Sequence, residues 1–274
     1  LKKIAVINDL SGFGKCSLSA AMPIISAHSI QCCPLTTGVF SNQTGYDSYK
    51  SVDFTSYMQG FIDEWKKLGA EFDGILSGFI SNGEQGKIIS DFIDTFRRDN
   101  TLVVVDPVMA DDGEIYSCYD EKCVSEIINL VKKADIITPN VTELSIICNK
   151  DYNKLVQLDG ELLINEIEKM SSGIGKTVVT TGIHISECEV ANAVYHNGSF
   201  DVFKSKMLGG SFSGTGDILS SFIIGECVNG NDIKSAVKRA TDFIEKSIAE
   251  TIADTNGNFN VADGVHFEKI LKEI

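Results

Sequence analysis

The sequence has no apolar run approaching the ~20 residues that a membrane-spanning helix needs. Its eight cysteines, Cys16, Cys32, Cys33, Cys118, Cys123, Cys148, Cys188 and Cys227, include no C-x-x-C pair, so neither a zinc site nor a redox pair is expected. Positive charge is scarce: 24 Lys and Arg stand against 38 Asp and Glu, a net charge of −14. That balance argues against a nucleic-acid or anionic-membrane partner. No Pro- or Ser-rich linker, repeat or low-complexity segment divides the chain, so 1–274 reads as one domain. The opening residues are too few for a signal peptide and run straight into a strand pattern. Together with the scattered cysteines, this gives the expectation of a cytoplasmic protein with reduced thiols. What is present is 274 residues, 43% hydrophobic and 23% charged, enough to bury a sizeable core in one large α/β domain.

Strand-like and helix-like segments alternate along most of the chain. Strands are expected at 3–8, 31–37, 74–77, 101–105, 135–138 and 177–181. Helices are expected at 17–27, where Pro23 could introduce a kink, and at 54–67, 84–98, 121–133, 141–148 and 161–171. The run Thr101-Leu102-Val103-Val104-Val105 suits a parallel sheet covered on both faces. Later the pattern changes. Segments 189–195 and 199–204 flank His196-Asn197-Gly198, and Asn-Gly is a strong hairpin signal. A long helix follows at 233–253. The fold class expected is α/β, with a mainly parallel sheet.

The most informative stretch is Gly209-Gly210-Ser211-Phe212-Ser213-Gly214-Thr215-Gly216-Asp217. It enters a helix in which Ile218, Leu219, Phe222 and Ile223 can share one buried face. A helix that opens in glycines offers free N–H groups and a positive dipole end to an anion. An aspartate at such a site repels an anion, but it makes sense as a base that deprotonates a hydroxyl attacking phosphorus. The plainer alternative is that Asp217 is an N-cap.

In doubly wound sheets, ligands bind beyond the carboxyl ends of the strands. Those ends are Asn8-Asp9, Thr37-Gly38, Ser77-Gly78, Asp106-Pro107, Thr138-Pro139-Asn140 and Thr181-Gly182, and together they draw a polar rim. Each alone is ordinary turn chemistry. Asp106 follows a buried-type run and so needs a partner, for which a metal ion would serve. Glu143, one turn into the next helix, could add an oxygen ligand directly or through water, or could simply favour the helix dipole. The segment Ser11-Gly12-Phe13-Gly14-Lys15-Cys16-Ser17 fails as a P-loop because its glycine spacing is wrong and Cys16 takes the Ser/Thr position.

Five segments in order carry a resemblance that spans nearly the whole chain. They are Pro34-Leu35-Thr36-Thr37 with Phe40-Ser41-Asn42-Gln43-Thr44-Gly45-Tyr46; Leu76-Ser77-Gly78-Phe79 with Glu84-Gln85-Gly86; Asp106-Pro107-Val108-Met109; Thr138-Pro139-Asn140-Val141-Thr142-Glu143; and Gly214-Thr215-Gly216-Asp217. The chain resembles the ribokinase-like superfamily and, within it, the pyridoxal/pyridoxine/pyridoxamine (vitamin B6) kinases. That resemblance implies a three-layer α/β/α sandwich with a mainly parallel central sheet, usually a homodimer. It implies Asp217 as base, with Gly214, Thr215 and Gly216 forming the anion hole. Asp106, Asn140 and Glu143 would organise Mg²⁺ and water. Asp111, Tyr116, Thr138 and Thr181 would lie along the ATP phosphates beside Asn140. Thr37, Ser41 and Thr44 would line the ring pocket, with Phe79 stacking. ATP and Mg²⁺ are the implied cofactors, with a monovalent cation left open.

One departure matters. Asp9-Leu10-Ser11-Gly12 stands where many pyridoxal kinases carry a serine touching the ring, and it looks partly like the Asp-x-Ser-Gly start of hydroxymethylpyrimidine phosphate kinases. This makes Asp9 a candidate ring-reading residue. Cys118 is not where some bifunctional relatives place a reactive cysteine. The expected function is ATP-dependent phosphorylation of the 5′-hydroxymethyl group of a B6 vitamer. The alternatives are a hydroxymethylpyrimidine (phosphate) kinase and a non-catalytic B6-binding protein.

Overall fold

The computed structural model describes residues 1–274. The elements run β1 (Lys3–Ser11), α1 (Ser17–Ala27), β2 (Gln31–Phe40), β3 (Ser51–Asp53), α2 (Thr55–Lys67), β4 (Gly74–Ser77), α3 (Gly83–Phe96) and β5 (Leu102–Val105). A two-strand ladder, β6 (Ala110–Asp111) and β7 (Glu114–Ile115), precedes α4 (Glu121–Lys133), β8 (Ile136–Ile137), α5 (Val141–Ile147), α6 (Tyr152–Leu155) and α7 (Gly160–Ile174). Then come β9 (Thr177–Ser186), β10 (Glu189–His196), β11 (Ser199–Lys206), α8 (Thr215–Val228) and α9 (Ile233–Asp254).

Nine strands form one sheet in the order β11-β10-β9-β8-β5-β4-β1-β2-β3. The six strands from β9 to β2 are parallel; β3 at one edge and β10 and β11 at the other are antiparallel. The pleat sends alternate residues to opposite faces. Val103 and Val105 join one core with Met58, Phe92, Ile127, Leu144 and Ile167, beneath α2, α3, α4, α5 and α7. Val104 joins the other with Leu18, Ile24, Phe222, Ile223 and Phe243, beneath α1, α8 and α9. This is the expected three-layer α/β/α sandwich. No helix is long and apolar enough to cross a membrane, and all eight cysteines are unpaired.

Three strands run past the ends expected for them. β1 and β2 continue beyond a register shift in which Thr37 and Gly38 together oppose Asp9 alone. Past this bulge, Leu10 pairs with Val39 and Ser11 with Phe40, and the added length of β2 templates β3. β9 likewise runs on to Ser186, because the hairpin of β10 and β11 folds back along it. Asn197 and Gly198 make that hairpin turn with φ of 49° and 80°, the left-handed pair that a two-residue turn requires. α1 carries Pro23 without interruption. α8 differs from the expectation of one apolar face: every residue from Ile218 to Glu226 is buried. The helix lies between α1, α9 and the sheet, so it needs no polar side over that length.

Candidate functional site

The site is built where α8 begins. Gly214 caps the helix with φ of +80°, and a Cβ there would stand 1.9 Å from the Lys15 carbonyl oxygen. Only glycine fits both the angle and the space. Thr215 Oγ1 donates to the Phe212 carbonyl at 3.1 Å and fixes the loop. No protein acceptor takes the N–H groups of Thr215, Gly216 or Asp217, so the first turn presents its amides outward.

Asp217 is not an N-cap. It sits in the first turn of α8, and its Oδ1 accepts from Asn8 Nδ2 at 3.0 Å. Burial pushes its carboxyl up to about 6; the Asp9 charge adds to this, and the Ser17 N–H and the Asn8 amide act against it. Asp106, 8% exposed, is raised to about 7 by burial and then by Asp217. It lies beside the helix start, since a Cβ on Gly216 would come 3.9 Å from its Oδ2. Asp9, in the bulge, accepts from Ser11 Oγ at 3.1 Å and is raised by burial. No Lys or Arg pairs with Asp9, Asp106, Glu143 or Asp217; the ion pairs of the chain all involve other acids. Buried carboxyls raised above their ordinary range and without a fixed counter-ion suit a base and a cation ligand.

Glu143 and Asn140 form a reciprocal cap at the start of α5. Asn140 Oδ1 accepts from Glu143 N at 2.8 Å, and Glu143 Oε2 accepts from Asn140 N at 2.9 Å. Glu143 Oε1 also accepts from Met109 N at 3.0 Å, and Asn140 Nδ2 donates to the Ala110 carbonyl at 2.8 Å. Both side chains therefore tie the segment after Asp106 to α5. Burial, followed by the Asp106 charge, raises the Glu143 carboxyl well above its ordinary range. With both oxygens taken by amides, Glu143 is suited to reach a cation through water. Asp106 fits a cation delivered with a nucleotide, because Mg²⁺ needs only one or two protein carboxylates beside phosphate oxygens.

Thr138, at the end of β8, is buried, and Thr181 bridges to Asn140 across the sheet edge, its N–H donating to the Pro139 carbonyl at 2.9 Å. Asp111 caps its own turn by accepting from Asp112 N at 3.0 Å, and Tyr116 closes the same ladder through its N–H to the Met109 carbonyl at 3.0 Å. These four residues and Asn140 lie on the β8 and β9 side of Asp217.

The other side holds the ring-end residues. The Phe79 ring stacks on Tyr119 at 5.8 Å and meets the Phe40 edge at 5.9 Å. Thr37 is fully buried, and its hydroxyl donates to the Phe79 carbonyl at 3.0 Å, so it braces the wall from behind. Ser41 is exposed and lines a crevice of about 400 Å³ with Phe13 and Tyr46; Thr44 is exposed in the same loop. A slightly larger cavity between α4 and α7 includes none of these residues.

Two roles had no sequence signal, although Asn8 itself stands in the polar rim at the strand ends. One is that of Asn8, whose amide reaches Asp217 across the sheet top. The other is that of the segment 261–263, which pins three loops at once. The Asp263 carbonyl accepts from Lys15 N at 3.1 Å, the Ala262 carbonyl from Gln43 Nε2 at 3.0 Å, and the Val261 carbonyl from Ser213 N at 3.1 Å. The Tyr46 hydroxyl donates to the Asp263 carboxylate. All of these bonds but the one from Ser213 span more than 200 residues, and such contacts leave no local pattern to read.

The family model described as phosphomethylpyrimidine kinase matches residues 19–262. A Bacteroides thetaiotaomicron protein described as a candidate phosphomethylpyrimidine kinase is 36% identical, superposes with a TM-score of 0.90, and is matched over 100% of this chain and 93% of its own. The hydroxymethylpyrimidine/phosphomethylpyrimidine kinase of Aquifex aeolicus is 28% identical over 68% of this chain and 71% of its own length. Pyridoxal kinase from Lactobacillus plantarum is 26% identical, with a TM-score of 0.87, over 100% of this chain and 96% of its own.

These findings correct the expected branch. The five motifs lead to the right superfamily, but the matching family model and the 36%-identical structure carry the phosphomethylpyrimidine kinase name rather than the vitamin B6 kinase name. The physical reason is that three of the five motifs are those the resemblance places at metal, phosphate and base, which do not tell one ring from another, whereas Asp9-Leu10-Ser11-Gly12 is the segment that looks like the pyrimidine side. The chain therefore belongs to the phosphomethylpyrimidine kinase family, ATP- and Mg²⁺-dependent kinases of the ribokinase-like superfamily.

Proposed function

We propose that this protein transfers the γ-phosphoryl group of ATP to the hydroxymethyl group of a hydroxymethylpyrimidine, or to the phosphate of its monophosphate. The observation that carries this reading is Asp217, poised near neutrality at a helix start whose amides have no protein acceptor. Asp217 takes the proton of the hydroxyl as its oxygen bonds to the γ-phosphorus, and the bond from that phosphorus to the bridging oxygen of ADP breaks. The N–H groups of Thr215 and Gly216 hold the charge spread over the transferring oxygens. Mg²⁺ bound with ATP would neutralise the phosphates, with Asp106 as the carboxylate that holds it and Glu143 acting through water. Phe79, backed by Phe40 and Tyr119, gives a flat aromatic ring a face to lie on. Asp9 and Ser11 offer an acceptor and a hydroxyl at the base of that wall.

A pyridine acceptor is the second reading, and one observation favours it: the Bacteroides thetaiotaomicron relative has also been solved in a form with pyridoxal, at 35% identity. The test is a turnover panel at fixed MgATP with hydroxymethylpyrimidine, its monophosphate, pyridoxal, pyridoxine and pyridoxamine. The pyrimidines are expected to give the highest kcat/KM. A pyridine ranking first would overturn the pyrimidine assignment, and no turnover of any acceptor would overturn the kinase reading.

A further inference from the structure

We infer that Asn8 is the positioning residue for the Asp217 carboxylate, with its side-chain amide locked in one orientation so that a single N–H is aimed at the base. The inference rests on the reading of Asp217 as base, and it concerns what holds that base in place.

The orientation follows from the partners of Asn8. Its Oδ1 accepts from Phe79 N at 2.9 Å and from Asp9 N at 3.0 Å. Both partners are backbone N–H groups and can only donate, so the atom facing them must be the oxygen. The remaining atom, Nδ2, then necessarily points its N–H at Asp217 Oδ1, 3.0 Å away. A flipped amide would set N–H against two N–H groups and oxygen against a carboxylate, three unfavourable contacts at once.

The packing agrees. A Cβ at Gly78 would fall 2.5 Å from Asn8 Nδ2, 2.8 Å from its Cγ and 3.0 Å from its Oδ1. The amide thus lies flat over Gly78, in space that any other residue would occupy. The charged and titratable groups acting on Asp217 from neighbouring elements are Asp9 on β1 and Asp106 after β5, with the Cys16 thiol before α1 and the Tyr116 phenol after β7 also within its field. None is cationic. The donors on Asp217 are the Asn8 amide and the Ser17 N–H, both neutral. A base beside two other acids needs a fixed donor to keep its carboxylate from turning away from them, and only Asn8 provides one from a side chain. The same amide also holds the Phe79 backbone, so the ring wall and the base share one anchor.

The experiment uses Asn8→Asp, Asn8→Leu and Gly78→Ala in the full chain. Asn8→Asp keeps an acceptor for Phe79 N and Asp9 N but replaces the N–H with a like charge. Gly78→Ala displaces the amide without altering it. In all three, kcat is expected to fall about ten- to hundredfold, the worth of one hydrogen bond to a charged group, while KM for MgATP holds; KM for the acceptor also holds in Asn8→Asp, which keeps the acceptor for Phe79 N. Crystal structures of wild type and Asn8→Leu provide a readout independent of turnover, in which the Asp217 carboxylate should leave its wild-type rotamer. An unmoved carboxylate, or a loss expressed only in KM, would overturn the inference even with the substrate reading intact. If wild type turns over no acceptor, the functional reading falls and the crystal structures alone decide the role of Asn8.

Discussion

Gly214 crosses Lys15 so closely that a Cβ on the glycine would stand 1.9 Å from the lysine carbonyl oxygen. This contact joins the first turn of α8 to the loop that follows β1. Two segments some 200 residues apart therefore set each other's position.

Gly214→Ala should remove nearly all turnover and lower thermal stability. The residue would be strained at a φ of +80°, at a cost of about 1–3 kcal/mol, and the backbone must also retreat from Lys15. The check is a denaturation curve alongside steady-state kinetics. Wild-type stability and activity in the variant would mean the two loops are not coupled through this contact.

Glu143→Gln should lower the melting temperature and raise the KM for MgATP. An amide can accept from only one of the two N–H groups that the carboxylate now satisfies, and leaving the other buried and unpaired costs about 1–3 kcal/mol. A Mg²⁺ titration separates the two roles. A higher Mg²⁺ requirement supports the water-bridged role; an unchanged one means the residue serves only to hold the segment 107–113.

Acidity makes a signed prediction. Asp217 and Asp106 lie near 6 and 7, above an ordinary 3.8, so the folded protein holds these protons more tightly than the unfolded chain does. Their contribution to stability is complete below about pH 4 and is lost as pH rises through 6 to 7. In the nucleotide-free protein, Asp106→Asn should flatten the fall in stability between about pH 4 and pH 7; an unchanged slope would show that the carboxyl titrates as it does in the unfolded chain. Turnover should move oppositely, rising through about pH 6 as Asp217 becomes a free base.

Tyr46→Phe should raise the KM for the ring acceptor with little change in kcat. Its hydroxyl joins the loop at 41–49 to Asp263, and that loop lines the crevice beside Ser41. The bond is exposed, so stability should shift by less than about 1 kcal/mol. A kcat loss with unchanged KM would place Tyr46 in the chemistry instead.

Much of this architecture was legible in the chain. The β-branched run at 102–105 marks a buried parallel strand, Asn197-Gly198 marks the hairpin, and the glycines before Asp217 mark a helix start. β3 was not legible: its three residues are exposed, and the strand exists only because β2 outruns a bulge that pairing with β1 creates. β6 and β7 pair over only two residues each and are tied to α5 by the Glu143 and Asn140 side chains, which are remote in sequence. In the site, the acids could be read from position alone, because a carboxylate after a buried strand demands a partner. The Asn8 amide and the 261–263 segment could not, because their roles arise from contacts that only the closed sheet and the packed C-terminal segment bring together.

In the proposed reaction Asp217 takes the proton of a hydroxymethyl group during transfer from ATP. The most direct measurement is single-turnover phosphate transfer to hydroxymethylpyrimidine by wild type and Asp217→Asn, with acceptor binding measured in parallel. The account predicts intact binding and a transfer rate lower by ~10²–10⁴-fold. Transfer within a few-fold of wild type would contradict it.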